Sequence, residues 1–125
     1  MKKSILVIDD NSLDQKMIAS ALEEEGHTAV MSLNFEDALH KARQTLPDLV
    51  LIDVVMPDIT GFDACRKLKE LLQPHSPQVI LMTGKLDAVD PVLARKMGAD
   101  DFVVKTSDMA VLIRAVRKIF SGKNS

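Results

Sequence analysis

Aromatic residues are scarce in this sequence. Its 125 residues include four Phe, no Trp and no Tyr. Flat aromatic faces are what unpaired bases stack on, so a stacking platform for single-stranded nucleic acid is not expected. Cysteine is nearly absent too. Cys65 alone makes neither an internal disulfide nor a Cys-rich zinc site. His27, His40 and His75 are widely spaced and show no metal-ligand pattern. A dominant charge is also missing: 16 Lys and Arg against 18 Asp and Glu leave a formal −2. That is no global basic field for nucleic acid or anionic lipid. No apolar run approaches the roughly 18–20 residues of a membrane span. The basic start, Met1-Lys2-Lys3-Ser4, is followed only by the short run Ile5–Ile8 before Asp9 and Asp10, too short for the apolar region of a signal peptide. The expectation is a cytoplasmic protein with no direct nucleic-acid contact and no membrane association.

What is present is aliphatic. Hydrophobic residues make up 46% of the chain, enough for one core, and the length suits one domain. Five short apolar runs are expected as strands: Ile5–Ile8, Thr28–Met31, Leu49–Ile52, Val79–Met82 and Phe102–Val104. Unbroken aliphatic runs fit strands covered on both faces, as in parallel sheets. The stretches between them carry helical stripes. Leu13, Met17, Ile18, Ala21 and Leu22 form the first, with Ser12 and Gln15 in capping-box spacing and Gly26 as the stop. The second starts from a cap at Asn34 and ends before Pro47, and the third carries Phe62, Cys65, Leu68 and Leu72. The fourth is expected to use Asp90 as cap and Pro91 as its first residue, and to end at Gly98. The fifth follows Ser107 and stops near Gly122. Strand and helix alternate five times, which predicts an α/β domain with right-handed crossovers. The domain is expected to span residues 1–125, with a core over about 4–120 and a tail from 121.

Ligands of open α/β sheets bind beyond the carboxyl ends of the strands. Those ends carry Asp9 and Asp10, then Asp53, then Thr83-Gly84, then Lys105; the second strand ends without a distinctive residue. Clustered carboxylates repel and call for a cation, and an oxygen-only site suits Mg2+. A lysine and a hydroxyl beside them suit an arriving anion. Together these groups have the means to stabilise a phosphoryl group in transfer, with a carboxylate as nucleophile. Asp53 stands alone and is the best choice; Asp9 and Asp10 come as an ion-holding pair.

These pieces resemble the receiver domain of two-component response regulators. The matching segments are Ile5-Leu-Val-Ile-Asp-Asp10, Leu51-Ile-Asp-Val-Val-Met-Pro-Asp-Ile-Thr-Gly61, Val79-Ile-Leu-Met-Thr-Gly84 and Gly98-Ala-Asp-Asp-Phe-Val-Val-Lys105. The resemblance implies a doubly wound, flavodoxin-like (βα)5 fold with a five-stranded parallel sheet in order 2-1-3-4-5 and helices on both faces. It implies that Asp53 accepts a phosphoryl group from the phosphohistidine of a sensor histidine kinase or a histidine phosphotransfer protein. Asp9, Asp10, Asp53 and the backbone carbonyl of Val55 would hold Mg2+. Thr83 would hydrogen-bond the phosphoryl group, Lys105 would pair with it, and Phe102 would be the aromatic switch. The surface of the fourth helix, fifth strand and fifth helix would then act on a downstream partner, an output domain or a second copy. The domain would be no enzyme, catalysing only its own phosphorylation and dephosphorylation.

Two departures stand out. The family usually follows the lysine with proline in a cis bond, whereas Thr106 follows Lys105 here. A cis bond before a residue other than proline costs about 2.5–4 kcal/mol, so a trans bond or a strained loop is expected. Lys85, two positions past Thr83, adds a charge at the mouth of the site that is expected to favour the phosphorylated form or set its lifetime. Two rival functions are a receiver-like interaction module that works without phosphate and a small phosphatase. The phosphatase would want an acid/base carboxylate two residues past the nucleophile, where Val55 stands. No dinucleotide or Walker pattern supports a nucleotide site.

Overall fold

A computed structural model describes residues 2–122. The elements are β1 (Ser4–Ile8), α1 (Ser12–Glu24), β2 (Thr28–Ser32), α2 (Phe35–Thr45), β3 (Leu49–Asp53), α3 (Gly61–Leu71), β4 (Gln78–Thr83), α4 (Pro91–Lys96), β5 (Asp101–Val104) and α5 (Ala110–Ser121), with a single 3-10 turn at Leu86–Ala88. All five strands are parallel and lie in the order β2-β1-β3-β4-β5. This is the flavodoxin-like arrangement.

The unbroken apolar runs are explained by two cores. Side chains alternate across a strand, so Ile5 and Val7 of β1 join one core with Leu49, Leu51, Ile80 and Met82, covered by α1 and α5. Leu6 and Ile8 join the other with Val50, Ile52, Val79 and Leu81, covered by α2, α3 and α4. Each fully buried aliphatic side chain contributes about 1.5–3 kcal/mol through water release. Cys65 is fully buried in the second core, as expected of a small hydrophobe. Burial pushes its thiol up to about 11, so it stays protonated.

Local signals hold for α2 and α4. Asn34 caps α2 by accepting from the Asp37 N–H at 2.9 Å, and Asp90 caps α4 by accepting from the Leu93 N–H at 3.0 Å. They fail at two other starts. The α1 cap is Asn11, whose side chain accepts from the Asp14 N–H at 2.9 Å, and Ser12 is already helical. The α5 helix begins later than Ser107: Met109 precedes it in the left-handed region at φ 60°, and the Asp108 carboxylate accepts from the Ala110 N–H at 3.1 Å. At the far end, Ser121 is the last residue of α5 and Gly122 its cap, so the regular fold runs past the expected start of a tail. The remainder of that expected tail, residues 123–125, lies outside the described residues. Among the described residues, no helix is long and apolar enough to cross a membrane.

Candidate functional site at the carboxyl ends of the strands

The order β1-β3-β4-β5 brings the ends of four strands side by side. Asp9 directly follows β1, Asp53 closes β3, Thr83 closes β4 and Lys105 directly follows β5. Asp9 and Thr83 are fully buried, and Asp53 is 7% exposed. Asp10 and Asp53 line an open cleft with Thr83 and Lys105, and Val55 and Lys85 line it as well. The sequence-predicted residues therefore converge, with two qualifications. Phe102 does not line that cleft: it is half-buried against the second core, where its ring meets Phe62 edge-on at 6.1 Å between centroids. Val55 enters the cleft lining, and its N–H donates to Asp53 Oδ1 at 3.1 Å.

Each side chain is held by its neighbours. Asp9 Oδ1 accepts from the Asn11 N–H at 2.9 Å, turning the chain into α1. The Val54 N–H donates to the Met82 carbonyl at 2.9 Å and the Gly61 N–H to the Val54 carbonyl at 2.8 Å, which pins the loop after Asp53 from both sides. Gly61 is required there: a Cβ would strike the Asp53 carbonyl oxygen and lie 2.6 Å from Val54 Cα. The Thr83 hydroxyl accepts from the Lys85 N–H at 3.1 Å, and the Lys105 N–H donates to the Thr83 carbonyl at 2.8 Å. The bond from Lys105 to Thr106 is trans; among the described residues the cis bond is Gln73–Pro74. The missing proline is thus met by an ordinary trans peptide.

The Lys105 ammonium is the electrostatic hub. Its Nζ lies 3.0 Å from Asp9, 3.4 Å from Asp53 and 2.7 Å from Asp14. Burial works against its charge, but the hydrogen bonds to Asp14 and Asp9 and the charges of Asp9 and Asp53 outweigh burial and hold its pKa above the ordinary lysine value. Asp53 moves the other way. Burial, with the charge of Asp9 adding to it, raises its pKa to about 6 against the opposing pull of Lys105 and the Val55 N–H. The nucleophile candidate is thus a carboxylate of raised basicity beside a fixed cation.

Asp14 and Gly61 are the parts that residue-by-residue reasoning missed. Asp14 is three residues past the Asn11 cap, in the first turn of α1, where an acidic residue suits the helix dipole and reads as ordinary capping. The available signal was its phase: that turn begins where β1 ends, so it overlooks the strand ends.

One carboxylate oxygen from each of Asp9, Asp10 and Asp53 lies within 4.8 Å of the others. The donors are all hard oxygens and the cleft is open to water, a set that fits Mg2+ with retained waters. Residues 5–117 match the response regulator receiver domain family. The chain belongs to that family. This receiver domain is 33% identical to Protein PilH of Pseudomonas aeruginosa over 118 residues, covering 94% of this chain and 98% of that one. It is 34% identical to the transcriptional regulatory protein AfsQ1 of Streptomyces coelicolor, covering 93% of this chain but 50% of AfsQ1. The receiver also superposes on the response regulator TrrA of Thermotoga maritima in complex with Mg2+-BeF, with TM-score 0.82, 29% identity, 94% of this chain and 98% of that one. Receiver domains are signalling domains rather than enzymes of metabolism.

Proposed function

We propose that this receiver is a phosphorylation switch of a two-component system, with Asp53 as phosphoacceptor. The observation that carries the reading is the buried Asp53 carboxylate flanked by Lys105, with Asp9 and Asp10 within reach of one shared cation. An Asp53 oxygen attacks the phosphorus of a phosphohistidine on a sensor histidine kinase or phosphotransfer protein. The P–N bond breaks, its electron pair returns to the imidazole, and an acyl phosphate forms. Asp9, Asp10 and Asp53, with the Val55 carbonyl, would hold Mg2+, and the ion would supply positive charge to stabilise the phosphoryl group. Lys105 donates to a phosphoryl oxygen from its place beside Asp53.

Thr83 couples this chemistry to shape. Its hydroxyl now accepts from the Lys85 N–H. Turning to donate to the phosphoryl group breaks that bond and releases the loop that leads into α4. Phe102 borders a pocket formed with Pro91, Ala94 and Arg95 of α4, so a change in that loop reaches its ring. The α4-β5-α5 surface then presents a different face to a downstream partner, an output domain or a second copy of the chain. Residues 1–125 act as one receiver unit in the cytoplasm, without contacting nucleic acid or membrane directly.

Mass spectrometry after incubation with acetyl phosphate and Mg2+ tests the assignment. One phosphoryl group is expected on the wild type and none on Asp53→Asn. No uptake by the wild type would favour an interaction module that works without phosphate.

A further inference from the structure

Lys105 has three N–H donors, and three carboxylates surround them. The shortest contact is to Asp14 at 2.7 Å, and the longest, 3.4 Å, is to Asp53. The ammonium is therefore drawn toward α1 and away from the residue it must serve. Asp14 is built into place: its N–H is held by the Asn11 cap on the first turn of α1, and its side chain is 28% exposed at the cleft. The role assigned to Asp53, Asp9 and Asp10 leaves Asp14 without a task, since among the described residues the carboxylates that converge for a cation are those three.

We propose that Asp14 is a positioning residue that competes with the phosphoryl group for Lys105 and so holds the switch toward its unphosphorylated state. An anion arriving on Asp53 meets an ammonium whose donors are all engaged and whose charge is partly neutralised by a carboxylate outside the cation site. Loss of that carboxylate frees one donor and some positive charge for the anion. A charge-assisted contact of this kind, partly open to solvent, has a modest weight. This inference rests on the phosphoacceptor reading above.

Beryllofluoride titration at saturating Mg2+ tests it on the whole chain. Asp14→Asn keeps the side-chain volume and the main-chain N–H that Asn11 holds. It is expected to bind beryllofluoride roughly two- to five-fold more tightly than wild type, and the gain should persist at high ionic strength, where through-space repulsion is screened. Asp14→Glu, which keeps the charge, should return affinity toward wild type. Damage to the fold alone would weaken binding, so a gain is not explained by structural loss. Unchanged or weaker binding by Asp14→Asn, or a gain that vanishes in salt, overturns the latch while the phosphoacceptor reading stands. Failure of the wild type to bind beryllofluoride overturns that reading, and the latch with it.

Discussion

The ends of β3 and β4 lie side by side, yet they are built in opposite ways. Beyond β3 the chain is clamped: the Val54 N–H donates to the Met82 carbonyl, the Gly61 N–H donates to the Val54 carbonyl, and Gly61 lies against backbone where a Cβ has no room. Beyond β4 the chain is loose. A Cβ on Gly84 would meet only Lys105 Cε at 3.9 Å, Leu86 is 79% exposed, and α4 is six residues long. The lesson concerns the division of labour. A nucleophile needs a fixed position, since small misplacements cost large factors in rate. A responding segment needs few buried contacts, so that a modest bond energy shifts it.

The largest expected difference between the two ends is in stability. Gly61→Ala should lose roughly 3 kcal/mol or more in urea unfolding, because backbone must move to admit the methyl group. Gly84→Ala should change stability by about 0.5 kcal/mol or less, and upward if anything, since it restricts the unfolded chain at no steric cost. Equal losses at both positions would break the contrast between clamped and loose ends.

Thr83→Ala comes next. It leaves Asp53 and Lys105 in place, so phosphoryl uptake should persist, while amide hydrogen exchange across α4 and β5 should lose most of its response to beryllofluoride. A full response in the variant would show that the loop does not report through Thr83. A smaller effect is expected at Lys85, which lines the cleft from the loose side. Lys85→Ala should shorten the lifetime of the phosphorylated form by roughly two- to five-fold, the weight of a solvent-screened charge near the phosphoryl group. An unchanged dephosphorylation rate would remove Lys85 from the account.

The smallest effect serves as a control from the opposite end of the sheet. His27 precedes β2; its Nδ1 accepts from the Lys3 N–H at 3.2 Å, and its ring lies 5.1 Å from that of Phe120. Burial lowers its pKa below 6.5, with the charge of Glu25 opposing. The unfolded chain then takes up the proton first as pH falls. Stability from this site is present above the unfolded value and lost as pH drops below it. The loss should stay under about 1 kcal/mol, since the ring is partly solvated, and His27→Gln should remove it from a pH-stability curve. Asp53 chemistry should be untouched by that substitution.

Much of this architecture was legible in the linear chain. Runs such as Ile5–Ile8 and Leu49–Ile52 identify strands covered on both faces, because no solvent-facing side tolerates that many aliphatics in a row. Asn34 and Asp90-Pro91 place helix starts through local chemistry alone. The acidic and basic strand ends were likewise visible, since the last residue of a parallel strand faces the ligand edge. Local rules erred where two caps competed, as with Asn11 over Ser12, and where Met109 adopts a left-handed conformation before α5.

The strands, the carboxylates at their ends and the lysine that follows the last are all written in the linear order of residues, because each follows from neighbours within a few positions. Which groups share a bond depends on the folded sheet. Asp14 and Lys105 are separated by 91 positions, and nothing local distinguishes Asp14 from an ordinary first-turn acid. Gly61 likewise reads as a loop glycine until Asp53 and Val54 are folded against it. Contacts of that kind depend on strand order and on the distance between side chains, and the chain acquires those only when the sheet closes.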